Sequence, residues 1–296
     1  MSQAQISPAG QGRVSPEARA AQEWRRIAAM RDEDVSLAEG ALWIAASEYP
    51  DLVISDYLAR IDAMAATLRG RMRPDIATAD KLLALNHYLF DEQGFSGNND
   101  DFYDPRNSFL NEVLERRLGI PITLGVIYIE IGRRIGLGLH GVSFPGHFLV
   151  KCALRDGVVV LDPYGGGISL GVDELQQRLR VAGAPDDVDQ SLLSHLLSAA
   201  PCKEILGRML RNLKGIYVEQ GDWLRALAAS ERVIALCPDD AGEEYRDRGS
   251  IYLQLECIRA AMGDFNTYIR QRPGAEDADG VRAKIAELQP LVARMN

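Results

Sequence analysis

Between Pro121 and Ile135 the chain carries a helix-length segment that is apolar on nearly every side, with Ile122, Leu124, Val126, Ile127, Ile129 and Ile131 leaving no face for water. A surface helix shows one apolar stripe, so this pattern predicts a helix buried at the centre of a domain. Its ends are marked as well. Pro121 suits a first turn, Arg133 and Arg134 suit a last turn, and Gly136 or Gly138 suits the stop. Directly downstream the apolar period changes to two, so that Val142 to Ala153 and Val158 to Asp162 read as strands joined by a turn around Arg155-Asp156-Gly157.

Upstream the pattern is helical. Leu37, Ala41, Ile44 and Ala45 recur at three- and four-residue steps, as do Tyr57, Ile61, Met64, Ala65 and Leu68, with Tyr49-Pro50-Asp51 as the break between them. A third helix is expected from Ala79 to Phe90 and a short amphipathic one from Ser108 to Arg117. The polar stretch from Gly94 to Asp104 reads as a loop. Its acidic residues lack the regular oxygen-ligand spacing of a calcium loop, so no metal is expected there.

Beyond about Ser191 the chain reads as helical to its end, and it repeats. Ile216, Tyr217, Ala226 and Pro238 recur as Ile251, Tyr252, Ala261 and Pro273, each 35 residues on. Tetratricopeptide units have a period of about 34 residues, with small residues where the two helices cross and a proline after the second. Two repeats are therefore expected, at 213–238 and 248–273, within an all-α region at 191–296.

The 296 residues suffice for about two domains. Residues 1–34 are expected to be a disordered or weakly ordered tail, since up to about Gln22 they are rich in Ala, Gln, Ser, Gly and Pro without apolar periodicity. A net charge of −9 with scattered acidic residues speaks against nucleic acid or an anionic membrane surface as partner. The four cysteines, Cys152, Cys202, Cys237 and Cys257, have neither metal-site nor disulfide-framework spacing, and no signal-like or membrane-spanning stretch stands out, so a cytoplasmic location is expected.

The segment from Asn107 to Lys151, NSFLNEVLERRLGIPITLGVIYIEIGRRIGLGLHGVSFPGHFLVK, followed by LDPYGGG at Leu161–Gly167, resembles the core of the SirB-type family, and with the flanking helices and repeats the likeness runs from about Val35 to Leu291. The resemblance implies an α+β, transglutaminase-like (cysteine-peptidase-type) fold over 35–190, a buried helix packed on an antiparallel sheet, with helices before it and the repeat module after it. In active relatives of that fold a cysteine at the start of the buried helix is the nucleophile, a strand histidine its base, and an aspartate on the next strand orients the imidazole. A helix amino terminus lowers a thiol's pKa and the carboxylate fixes the tautomer. By resemblance His147 and Asp162 match the histidine and aspartate. The nucleophile position falls within Pro121 to Thr123, where there is no cysteine.

Two registers bear on that pair. A two-residue hairpin at Asp156-Gly157 would set Lys151 opposite Asp162, whereas a four-residue loop from Ala153 to Asp156 sets His147 there; the second is preferred because it preserves the contact. Thr123 is the one hydroxyl near the nucleophile position, as candidate nucleophile or simple cap. Asp162 also suits a cap on the turn at Pro163-Tyr164-Gly165, and Asn107 and Ser108 either cap a helix or touch a polar pocket. Pro145 and Gly146 border the candidate pocket. Cys152 is expected to be buried and inert, the other cysteines to pack within helices, and His87, His140 and His195 have no evident partner. The expected function is a non-catalytic or cryptic domain coupled to a repeat adaptor that binds protein or peptide in a regulatory role, with no cofactor. The competing expectation is acyl transfer or amide hydrolysis by His147 and Asp162 with Thr123 or an activated water.

Overall fold

The computed structural model describes residues 15–183, 189–238 and 241–294. Of the expected tail, residues 1–14 lie outside the described residues, but Pro16–Ala29 form a helix, α1, so the tail does not run on to residue 34. The physical reason lies in the spacing of Ala20, Trp24 and Ile27, which puts three apolar side chains on one face, all buried in the main core, while Ser15 caps the helix by accepting from Ala18 N at 3.2 Å. Composition hid a short amphipathic signal.

The domain that follows opens with α2 (Leu37–Ala45), α3 (Ile54–Gly70) and α4 (Thr78–Asn86), the last running on as a π-helix over His87–Glu92. A two-residue strand, β1 (Ser96–Gly97), pairs in parallel with β2 (Leu118–Gly119) on the far side of α5 (Leu110–Arg116). Then comes α6 (Pro121–Arg134), buried along its length from Ile122 to Gly132 as its all-round apolar pattern requires.

β3 (Leu139–Val142), β4 (Leu149–Leu154), β5 (Gly157–Asp162) and β6 (Ile168–Leu170) form one antiparallel sheet in that order. Leu139, Val150, Cys152 and Leu161 join the main core with α6, while Val142, Phe144, Leu149 and Val160 meet Leu175 and Leu179 of α7 (Val172–Val181) and Leu193 of α8 (Gln190–Leu196). Both faces of the sheet are covered. The single strand expected over Val142 to Ala153 is in fact two, β3 and β4, paired Val142 to Leu149 around a loop at 143–148. Pro145 cannot donate to a ladder and, with Gly146, marks a turn instead. The β4–β5 register is neither of the two weighed: Leu154 faces Gly157, leaving Arg155-Asp156 as the turn.

The all-α region was expected to start at 191, yet α8 packs under the sheet through Leu193, and the repeats begin with α9 (Cys202–Gln220). α10 (Trp223–Leu236), α11 (Gly242–Gln254) and α12 (Ile258–Gln271) complete two antiparallel pairs, closed by α13 (Ala278–Arg294). α10 and α12 start and end 35 residues apart, and Ala226 and Ala261 are both fully buried at their crossings. Among the described residues no helix is long and apolar enough to cross a membrane.

Candidate functional site

The loop between β3 and β4 is built on a turn in which His147 N donates to Phe144 O at 3.1 Å. Proline at its second position and glycine at its third, Gly146 at φ +67°, are what a type II turn demands. His147 therefore sits just ahead of β4 rather than on a strand, and it reaches Asp162 at the end of β5 across the mouth of the hairpin. Its Nε2 lies 2.9 Å from Asp162 Oδ1. Continuing the β4–β5 register would set Leu149, not His147, beside Asp162, so the contact is made by the side chains reaching along the sheet end.

Asp162 is buried and fully engaged. Besides His147, Arg178 Nη2 of α7 donates to its Oδ2 at 2.7 Å and Tyr164 N to its Oδ1 at 3.0 Å. Burial alone would raise its pKa; the His147 and Arg178 hydrogen bonds and charges outweigh that and hold the carboxyl below its ordinary range. The cap on the Pro163–Gly165 turn and the contact with His147 thus coexist in one side chain. An ionised carboxylate only accepts, so Nε2 is the ring nitrogen that donates to Asp162. The ring of Tyr164 stands edge-on to His147 at 6.0 Å.

His147, Gly146 and Phe148 line a cleft of about 370 Å³ whose other walls are Ile120, Pro121 and Ile122 at the start of α6, the loop residues Phe102 and Tyr103, and one face of α9. Both loop aromatics are exposed at its lip. Pro145 with Gly146 borders a second cleft on the α7 side, which His147 also lines. Thr123 is in neither. Its hydroxyl is fully buried, accepting from Ile120 N at 3.1 Å and donating to Asn107 O at 2.8 Å, which makes it the cap of α6. Asn107 is buried too. Its side chain accepts from Asn98 and Arg116 and donates to the carbonyl of Asp101, so it anchors the aromatic loop and, through its own carbonyl, Thr123. Ser108 Oγ is buried with no partner among the described residues.

None of the four cysteines lines the His147 cleft. Cys152 is buried, as its place on the strand implies, whereas Cys237 and Cys257 are exposed rather than packed. His87 has a partner after all, Asp91 at 2.8 Å on an exposed helical turn.

Two further residues escape a local reading of the sequence. Arg178 meets Asp162 from α7, a helix legible in hindsight from Leu175 and Leu179. Arg208, on α9, donates from Nη1 and Nη2 to Phe144 O at 3.1 and 3.2 Å and from Nη2 to His147 O at 2.7 Å. It ties the histidine loop to the first repeat helix. Burial lowers its pKa.

A transglutaminase-like superfamily model matches residues 55–211 and a tetratricopeptide repeat model residues 213–286, the junction falling inside α9. The chain is similar to a UPF0162 protein of Xylella fastidiosa, 42% identical over 265 residues that cover 90% of this chain and 94% of the relative. A UPF0162 protein of Vibrio cholerae is 30% identical over 87% of this chain and 95% of its own length, and protein SirB1 of Salmonella typhimurium 28% identical over 80% and 86%. No solved structure matches. With its sheet, buried helix, paired histidine and aspartate, and two helical repeats so arranged and so matched, the chain belongs to the SirB-type, UPF0162 family of transglutaminase-like proteins with tetratricopeptide repeats.

Proposed function

We propose that the protein works by binding a protein or peptide segment in a regulatory role, its transglutaminase-like domain supplying a pocket rather than turnover and its repeats acting as the adaptor. The observation that carries this reading is that the cleft wall shared with His147 is Ile120, Pro121 and Ile122, that Pro121 to Thr123, where the resemblance puts the nucleophile, holds no thiol, and that the hydroxyl of Thr123 is turned inward to backbone partners. Without a thiolate, acyl transfer loses its most reactive component, since a hydroxyl stays protonated at neutral pH unless a base reaches it. Exposed aromatics at the cleft lip favour recognition, because such side chains bring large contact area at small entropic cost.

A second reading, acyl transfer or amide hydrolysis with Thr123 or an activated water as nucleophile, is favoured by the hydrogen-bonded pair of His147 and Asp162 at the cleft. One experiment separates them. Purified protein is incubated with glutamine-donor and peptide substrates, with and without calcium, alongside Thr123→Ala, His147→Ala and Asp162→Ala variants. All four are expected to be inactive, while His147→Ala alters partner capture. Turnover lost in Thr123→Ala and His147→Ala would identify threonine as nucleophile, and turnover sensitive only to His147 and Asp162 would point to water.

A further inference from the structure

We infer that Arg208 is a positioning residue for His147: from α9, the helix that opens the repeats, it sets the turn that aims the imidazole at Asp162, so that the cleft is completed by that helix and not by the sheet and α6 alone. The inference rests on the reading of this cleft as the working site and adds how its histidine is held. Arg208 addresses both ends of one turn. Phe144 O, at its first residue, accepts from Nη1 at 3.1 Å and from Nη2 at 3.2 Å, and His147 O, at its last, accepts from Nη2 at 2.7 Å. A guanidinium is a planar fork, so two carbonyls that share it are fixed in distance and direction relative to each other. Bonds from a charged donor are also shorter and stronger than neutral ones, which agrees with the short contact at the His147 carbonyl. Orienting that carbonyl orients the rigid peptide plane beside the Cα that carries the imidazole.

The loop supplies little of this order itself. Between β3 and β4 its own backbone bonds are those of Phe144 N to Val142 O at 2.9 Å and of His147 N to Phe144 O at 3.1 Å. Pro145 has no N–H to give, and Gly146, at φ +67°, is the most permissive residue a turn can carry. Phe144 and Phe148 are buried and pin the flanks, Phe148 so closely that a Cβ on Gly125 of α6 or Gly141 of β3 would lie 2.6 Å from its ring. Beyond the turn's own bond, His147 is hydrogen-bonded from two directions, by Asp162 at its ring and by Arg208 at its carbonyl. The guanidinium forms no ion pair among the described residues. It is partly withdrawn from water, with burial pulling its pKa down, against those carbonyls and the ring of Phe148 6.0 Å away. An arginine kept for stability alone is more economically paired with a carboxylate. The helix that carries it is fixed in turn. Asp32, 170 residues upstream, accepts from the first amides of α9, Cys202 N at 2.9 Å and Lys203 N at 2.8 Å, which stops the start of the helix from sliding and holds Arg208 in reach of the turn.

The test reads the imidazole directly, by NMR of the full chain carrying isotope-labelled histidine, with His147→Ala identifying the Nε2–H resonance of His147. Wild type is compared with Arg208→Met, which keeps the bulk without the donors, with Arg208→Lys, and with Arg248→Met, which breaks the Arg248–Asp264 ion pair of the second repeat and touches nothing in the cleft. Thermal melts give the stability of each. Exchange of the His147 Nε2–H with water is expected to speed up about tenfold in Arg208→Met and by less in Arg208→Lys, whose ammonium donates without the fork. It should stay slow in Arg248→Met even where the melting temperature falls as far, and methylguanidinium below denaturing concentration should slow it again in Arg208→Met alone. A folded Arg208→Met whose exchange stays within about twofold of wild type would overturn the inference. So would equal acceleration in Arg248→Met, which makes the signal a report of overall stability, or a wild type with no protected Nε2–H. If Arg208→Met does not fold, Arg208→Lys decides, exchange as slow as wild type counting against the assignment. Binding at the cleft is judged separately by partner capture, so either reading can fail without the other.

Discussion

Asp162 answers to three groups at once, the imidazole of His147, the guanidinium of Arg178 and the amide of Tyr164, and it does so while buried. Its carboxyl is held below the ordinary range, so the stabilisation it lends is fully present above the unfolded value, near 3.9, and is lost progressively as pH falls from there through the lower folded value. Asp162→Asn keeps the acceptor for Tyr164 N but gives up the charge facing His147 and Arg178, and is expected to cost about 2 kcal/mol at neutral pH. Urea titrations at a series of pH values check this: the deficit relative to wild type should shrink as the pH falls below about 4 and through the lower folded value of the carboxyl. The pairing with His147 was legible in the sequence through family resemblance, but Arg178 was not, because nothing in local spacing links a residue on a later helix to a strand end.

At the scale of elements, regular periodicity was readable and its interruptions were not. The all-round apolar run of α6 has only one physical solution, burial, and the 35-residue recurrence returns as helices with the same ends. The stretch through β3 and β4 alternates well enough to look like one strand, and Pro145-Gly146, read as a mere border, is where it folds back. Even the turns of the repeats coincide. Gly221 and Glu256, 35 residues apart, both adopt left-handed backbone, and the amides that follow donate to Tyr217 O and Tyr252 O, each at 2.8 Å. In that conformation a Cβ crowds the following carbonyl, so the second repeat carries strain the first avoids. Glu256→Gly is expected to stabilise the protein by about 1 kcal/mol, seen as a higher urea midpoint at unchanged slope, whereas Gly221→Ala should lower it by a similar amount.

Over the whole molecule, the first helix and the repeats brace each other across the transglutaminase-like domain. Trp24 of α1 is buried, its indole N–H donates to Arg232 O of α10 at 3.1 Å, and the Arg232 guanidinium lies over its ring. Trp24→Ala removes that volume and the hydrogen bond between the two helices, for an expected loss of about 3 kcal/mol by chemical denaturation. Disorder-like composition around a single amphipathic turn concealed this contact, since burial against a helix 200 residues away leaves no trace in nearby sequence. The junction between the two parts has a geometric consequence of its own. It falls within α9, an uninterrupted helix that both packs beneath the histidine loop and opens the repeats, so no hinge lies between them. From Arg208 to Gly215 that helix advances about 10 Å. The histidine loop and the first repeat are therefore held at a spacing fixed by helical turns, not by a flexible joint.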